Sequence, residues 1–104
     1  MSAHDYFVYI MGNDIPTLYI GVTNDLRRRI WEYQNNVSRG SFVEKYKCYK
    51  LLYFEHFTVV NEAIAREKQL KRWHRDWKLN LIKLNNPGFS DLALNYDWDA
   101  EINS

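Results

Sequence analysis

Two short apolar runs, YFVYIM from Tyr6 to Met11 and TLYIGV from Thr17 to Val22, flank the turn-forming string GNDIP. Both runs are rich in β-branched and aromatic residues, which suit a pleated, half-buried surface. Gly12, Asn13, Asp14 and Pro16 each favour a reversal of the chain, so the segment predicts an antiparallel hairpin. Alternate residues of a strand face opposite ways. Phe7, Tyr9 and Met11 therefore share one face of the first strand, and Tyr19 and Gly21 share a face of the second. Pairing the strands brings Tyr9 and Tyr19 to the same side of the sheet. Gly21 leaves open the space that a side chain would fill beside them.

The string TND, Thr23 to Asp25, supplies N-capping residues, and a helix is predicted from about Asp25 to Asn35. At 100° per residue, Leu26, Ile30 and Tyr33 make its inward stripe. Arg27 and Arg28 point away, Trp31 lies off the stripe, and Arg29 falls at its edge toward the sheet. NNVSRGSFVEKY reads as a loop ending in a short irregular or helical piece, and Tyr49 to Phe57 as a third strand. A long helix is predicted from about Val60 to Trp77. Its apolar stripe is Ala63, Leu70, Trp73 and Trp77, which makes both tryptophans core residues. Lys68, Lys71, Arg72 and Arg75 gather on the opposite face, and Glu67 stands at the boundary. LNLIKL continues as a short helix until NNPGFSDLA stops it with Pro87 and Gly88. The expected organisation is one domain of three strands and several helices over residues 1–92, followed by an acidic tail over 93–104.

A net charge of +1 conceals a strong segregation. All 14 Lys and Arg residues fall between Arg27 and Lys83, against six acids in that segment, which leaves it at +8. Asp91, Asp97, Asp99 and Glu101 crowd the C-terminal end. A locally basic surface attracts phosphate even on a nearly neutral molecule. No apolar run approaches the roughly 20 residues of a membrane helix, and the N-terminal MSAHDYF lacks a signal peptide's pattern. Cys48 is the sole cysteine, so neither an internal disulfide nor a cysteine zinc cluster is available. A cytoplasmic location and no membrane partner are the expectations.

Four blocks in order, VYI, then YIG, then NDLRRRIWE, then EAIAREKQLKRW, resemble the GIY-YIG nuclease superfamily, in particular its small stand-alone excinuclease-C-like branch. The similarity runs from Tyr6 to about Leu92 and includes NPGFSDL. It implies an α+β fold, a three-stranded antiparallel sheet flanked by helices, and metal-dependent cleavage of DNA phosphodiester bonds, with Mg²⁺ or Mn²⁺ as cofactor and DNA as partner. By position it implies Tyr9 and Tyr19 as the two motif tyrosines, Arg29 as the helix arginine and Glu67 as the metal ligand. Such chemistry needs an activated water, stabilisation of phosphoryl charge and relief at the leaving oxygen. A lone carboxylate suits Mg²⁺, which keeps most of its waters, and Arg29 can fork onto phosphate oxygens where lysine cannot. Tyr9 is assigned as base or water-positioner, and Tyr19 as a hydrogen-bonder to phosphate or water.

Tyr33 departs from a histidine found in many relatives, replacing a group that titrates near neutrality with one that does not. It is carried as a fourth catalytic residue. GSFVEKY also departs from a common GFTKKY, through Val43 and Glu44. Nucleic-acid contacts are assigned to Arg27, Arg28, Trp31, Lys45, Lys68, Lys71, Arg72 and Arg75, with Trp31 as the base-stacking candidate. No element suited to reading base edges is evident, so low sequence specificity is expected, on single strands or repair intermediates. Two readings stay open. One is an endonuclease; the other is a nucleic-acid-binding module with reduced or lost cleavage.

Overall fold

The structure, a computed structural model, describes residues 4–14, 16–35 and 47–95. Its sheet is antiparallel, built of β1 (Tyr6–Gly12), β2 (Leu18–Thr23) and β3 (Lys50–Phe57), with β1 in the centre. The hairpin pairs Tyr9 with Gly21 and Met11 with Tyr19, so the two tyrosines stand diagonally on one face. β3 pairs with the other side of β1, with an irregularity between Ile10 and Met11.

Because β1 is covered on both faces, its side chains alternate between two cores. On the first face Phe7, Tyr9 and Met11 pack with Leu26, Ile30 and Tyr33 of α1 (Leu26–Gln34). That helix is capped at its start, where the Asp25 carboxylate accepts from the Arg28 backbone N–H at 3.1 Å. The short helix α4 (Leu92–Asn95) closes the same face, where Leu92 and Ala93 pack. Beyond it, residues 96–104, most of the expected acidic tail, lie outside the described residues. On the second face Val8, Ile10, Ile20 and Leu52 pack against Ala63, Leu70 and Ile82 from two helices, α2 (Val60–Arg72) and α3 (Arg75–Asn85).

Those two helices correct the expected single helix from Val60 to Trp77. Trp73 and His74 take extended backbone, with ψ near 148° and 149°, and break the chain between Arg72 and Arg75. Neither proline nor glycine causes this. Trp73 turns in against the second core, where the Arg66 guanidinium lies over its ring, 5.1 Å from the centroid. Leu81 and Ile82 then pack on the same core from the redirected α3, so burial overrides helix propensity. Trp77 is consequently not a core residue. It is 53 % exposed, edge-on to Trp73. At the end of α3 the buried Asn86 amide donates to the carbonyls of Leu52 and Ser90 and accepts from Ser90, pinning the PGF turn to β3.

Candidate active site

Gly21 makes the site possible. A Cβ at this position would stand 2.3 Å from the Tyr9 hydroxyl and 2.5 Å from its Cζ. The missing side chain lets the Tyr9 ring lie flat along β2 and reach α1, where its hydroxyl meets that of Tyr33 at 2.7 Å. Tyr19 completes a triangle of rings, with centroids 6.5 Å from Tyr9 and 6.1 Å from Tyr33. Tyr9 is 2 % and Tyr33 4 % exposed.

Burial dominates the electrostatics of these phenols. It pushes Tyr9 far above the ordinary phenol range, helped by its hydrogen bond to Tyr33 and the nearby phenols, with Arg29 opposing. Tyr33 is pushed up to about 12, again by burial first. Both are neutral at pH 7. The base role assigned to Tyr9 from sequence therefore meets a phenol that resists ionisation, because the folded core excludes the water that would solvate its anion.

Arg29 stands on the sheet-facing edge of α1, as its helical position dictates. Burial works against its charge, but Tyr9, Tyr33 and Glu32 outweigh that and keep the guanidinium firmly protonated. Its Nε is buried without a hydrogen-bond partner among the described residues. The closest acid, Glu32, stands 3.9 Å from Nε, too far for a hydrogen bond. Glu32 is equally far from Arg28. An orphaned cationic donor beside hydroxyls is suited to an anionic acceptor.

Glu67 is carried on α2, which packs on the second face of the sheet. On α2, Ala63 and Leu70 face inward, and Arg66 and Glu67 flank that stripe on opposite sides. Arg66 reaches toward β3, where it donates to Glu55 at 2.8 Å, and Tyr53 donates to the same carboxylate at 2.5 Å. This leaves Glu67 on the flank toward β2. There its carboxylate, largely covered, pairs with Lys71 at 3.3 Å. Lys71 lines a cleft of about 240 Å³ with Leu18, Tyr19, Ile20 and Lys78. The cleft lies along β2, an edge strand, and its lining includes one of the motif tyrosines, Tyr19, and the lysine that pairs with Glu67. Among the described residues no three His, Cys, Asp or Glu side chains gather into a metal-holding group. A single covered carboxylate that already receives a cation fits an ion taking one protein ligand and keeping its waters.

Of the residues assigned to nucleic acid, Arg27, Arg28, Lys68, Lys71, Arg72 and Arg75 are exposed. Arg27, Arg28 and Trp31 line a groove of about 440 Å³ against Ala93 and Leu94, and Trp31 is 58 % exposed. Arg75 departs from its expected place on the α2 face: it opens α3, and its guanidinium donates to the Pro16 carbonyl. Lys45 lies outside the described residues. Lys78, which lines the cleft with Lys71, was missed from sequence, where nothing marks it out from the other lysines.

A family model matches the part of the chain that carries these residues. The model, described as the GIY-YIG catalytic domain, covers residues 5–80, and the chain belongs to the GIY-YIG family. Its relatives include UPF0213 proteins. That of Clostridium perfringens is 38 % identical over 76 residues, covering 73 % of this chain and 81 % of the relative. That of Desulfotalea psychrophila is 32 % identical over 85 residues, covering 82 % and 77 %. A UPF0213 protein of Bacillus halodurans, solved by solution NMR, shares the fold with a TM-score of 0.55 at 23 % identity, covering 85 % of this chain and 93 % of that one.

Proposed function

We propose that the protein is a divalent-metal-dependent endonuclease that hydrolyses DNA phosphodiester bonds with low sequence specificity. The observation carrying this reading is the buried, unpartnered Nε of Arg29 beside the Tyr9 and Tyr33 phenols. A guanidinium held charged, with its Nε short of an acceptor, is pre-organised to bind phosphoryl oxygens as charge develops on them. Tyr19, at the mouth of the edge cleft, donates to phosphate or water. Tyr9 and Tyr33 act as a neutral hydrogen-bonded pair that orients the reacting groups, since burial disfavours a phenolate at Tyr9. Glu67 holds the metal, Mg²⁺ or Mn²⁺. When bound, the ion supplies Lewis-acid polarisation and a more acidic water.

Binding without cleavage is favoured by one feature. Tyr33 gives the Tyr9 hydroxyl a partner that titrates well above neutrality, so this pair offers no proton acceptor near pH 7. Labelled single-stranded and duplex DNA incubated with Mg²⁺, Mn²⁺ or EDTA separates the two. The endonuclease reading expects cleavage lost in EDTA and in Glu67→Ala with binding retained. It also expects Arg29→Lys to lower kcat by about 10²-fold or more. Salt-sensitive binding by the unaltered protein with no cleavage under any metal would establish the module instead.

A further inference from the structure

The cleft at the edge of β2 contains more than the site above requires. It is lined by Lys71 from α2, Lys78 from α3, and Leu18, Tyr19 and Ile20 of β2. In an unbroken helix these lysines would be separated by about 10 Å along the axis. With the extended residues Trp73 and His74 between them, both lysines line one open cleft. Among the described residues the cleft lining includes no acid, and a volume of about 240 Å³ equals that of roughly eight waters, enough for a phosphodiester group. Lys71 meanwhile has a second partner. Its ammonium sits on Glu67 at 3.3 Å, the carboxylate assigned to the metal.

We propose that this cleft is a second phosphate subsite, taking the backbone phosphate next to the scissile one, and that Lys71 changes partner. In the metal-free protein Lys71 neutralises Glu67. When a divalent cation takes the carboxylate, like-charge repulsion releases the ammonium into the cleft, where it joins Lys78 on phosphate. Metal and DNA binding are thereby coupled, each favouring the other through one mobile cation. The inference rests on the reading of Glu67 as metal ligand.

The test uses the full chain and a short fluorescein-labelled single strand, with anisotropy read in Ca²⁺ and in EDTA, and Mn²⁺ binding read by EPR without DNA. Lys78→Met is expected to weaken DNA binding severalfold with or without the ion and to reduce the salt slope by about 0.7, one single-strand phosphate contact. Lys71→Met is expected to weaken DNA binding in Ca²⁺ but not in EDTA. Without DNA it should tighten Mn²⁺ binding about two- to fivefold, the scale of an exposed ion pair. A neutral methylphosphonate at one linkage should reproduce the Lys78→Met loss and add nothing to it. Wild-type DNA affinity and salt slope in both variants, or unchanged or weaker Mn²⁺ binding in Lys71→Met, overturns the proposal. Glu67→Gln separates the levels. Retained Mn²⁺ binding in that variant defeats the metal assignment and the exchange with it. Lost Mn²⁺ binding together with lysine variants that behave as wild type leaves the assignment standing and defeats the subsite alone.

Discussion

Gly21→Ala tests the packing on which the site depends. The added methyl would stand 2.3 Å from the Tyr9 hydroxyl, 2.5 Å from Cζ and 3.1 Å from Cε1. The ring has nowhere to retreat, because it is 2 % exposed and its hydroxyl is tied to Tyr33 at 2.7 Å. Overpacking of this kind costs about 1–3 kcal/mol. Displacing the hydroxyl from its buried partner adds about 1–3 kcal/mol. Loss of unfolded-state freedom on replacing glycine returns only about 0.4–1 kcal/mol. The expected net destabilisation is about 2–4 kcal/mol, a fall in Tm on the order of 10–20 °C for a domain of this size. Urea unfolding followed by circular dichroism measures it, with the m-value unchanged. The same substitution in a Tyr9→Leu background should cost less than about 1 kcal/mol, since the ring that clashes is gone. Tyr9→Phe should rescue only in part, because Cζ stays. A Gly21→Ala protein within about 0.5 kcal/mol of wild type, or an equal cost in both backgrounds, would refute the reasoning.

Three further outcomes follow from the same structure. Tyr9 and Tyr33 hold their protons above the pH at which an unfolded tyrosine releases them. Their contribution is therefore complete below about pH 10, and stability should fall from there through about 12, the Tyr33 value; a flat urea midpoint to pH 11.5 would contradict this. Burial raises Glu55, but hydrogen bonds from Arg66 and Tyr53 outweigh it and hold the carboxyl below its ordinary range. Its contribution is present above the ordinary pKa and lost as pH falls through the folded one. Glu55→Gln should cost about 1–3 kcal/mol at pH 7 and flatten the acid limb of the stability profile. Trp77→Ala should change stability by no more than about 0.5 kcal/mol, whereas Trp73→Ala, half-buried under Arg66, should cost about 1–3 kcal/mol. Equal effects would mean the helix break is misplaced.

Local patterns sufficed for the hairpin, the third strand and the first helix, because alternation and 3.6-residue periodicity record which side of an element is buried. Asp25 as cap, Arg29 at the edge of α1 and the room at Gly21 follow from positions along single elements. Glu67 and Arg66 take opposite flanks of α2 by helical geometry alone, although only the pairing of Arg66 with Glu55 says which flank faces β2. The break at Trp73 was not legible, since no breaker residue marks it and the tryptophan spacing matches a continuous stripe. Its cause is non-local, the joint burial of Trp73, Leu81 and Ile82 against strands distant in sequence. The tertiary structure likewise decided that Trp77 faces outward, that Arg75 donates to the Pro16 carbonyl, and that Lys78 shares a cleft with Lys71. It also set the ionisation of Tyr9 and Tyr33, because a phenol's pKa depends on the water excluded around it, and no spacing of letters records that.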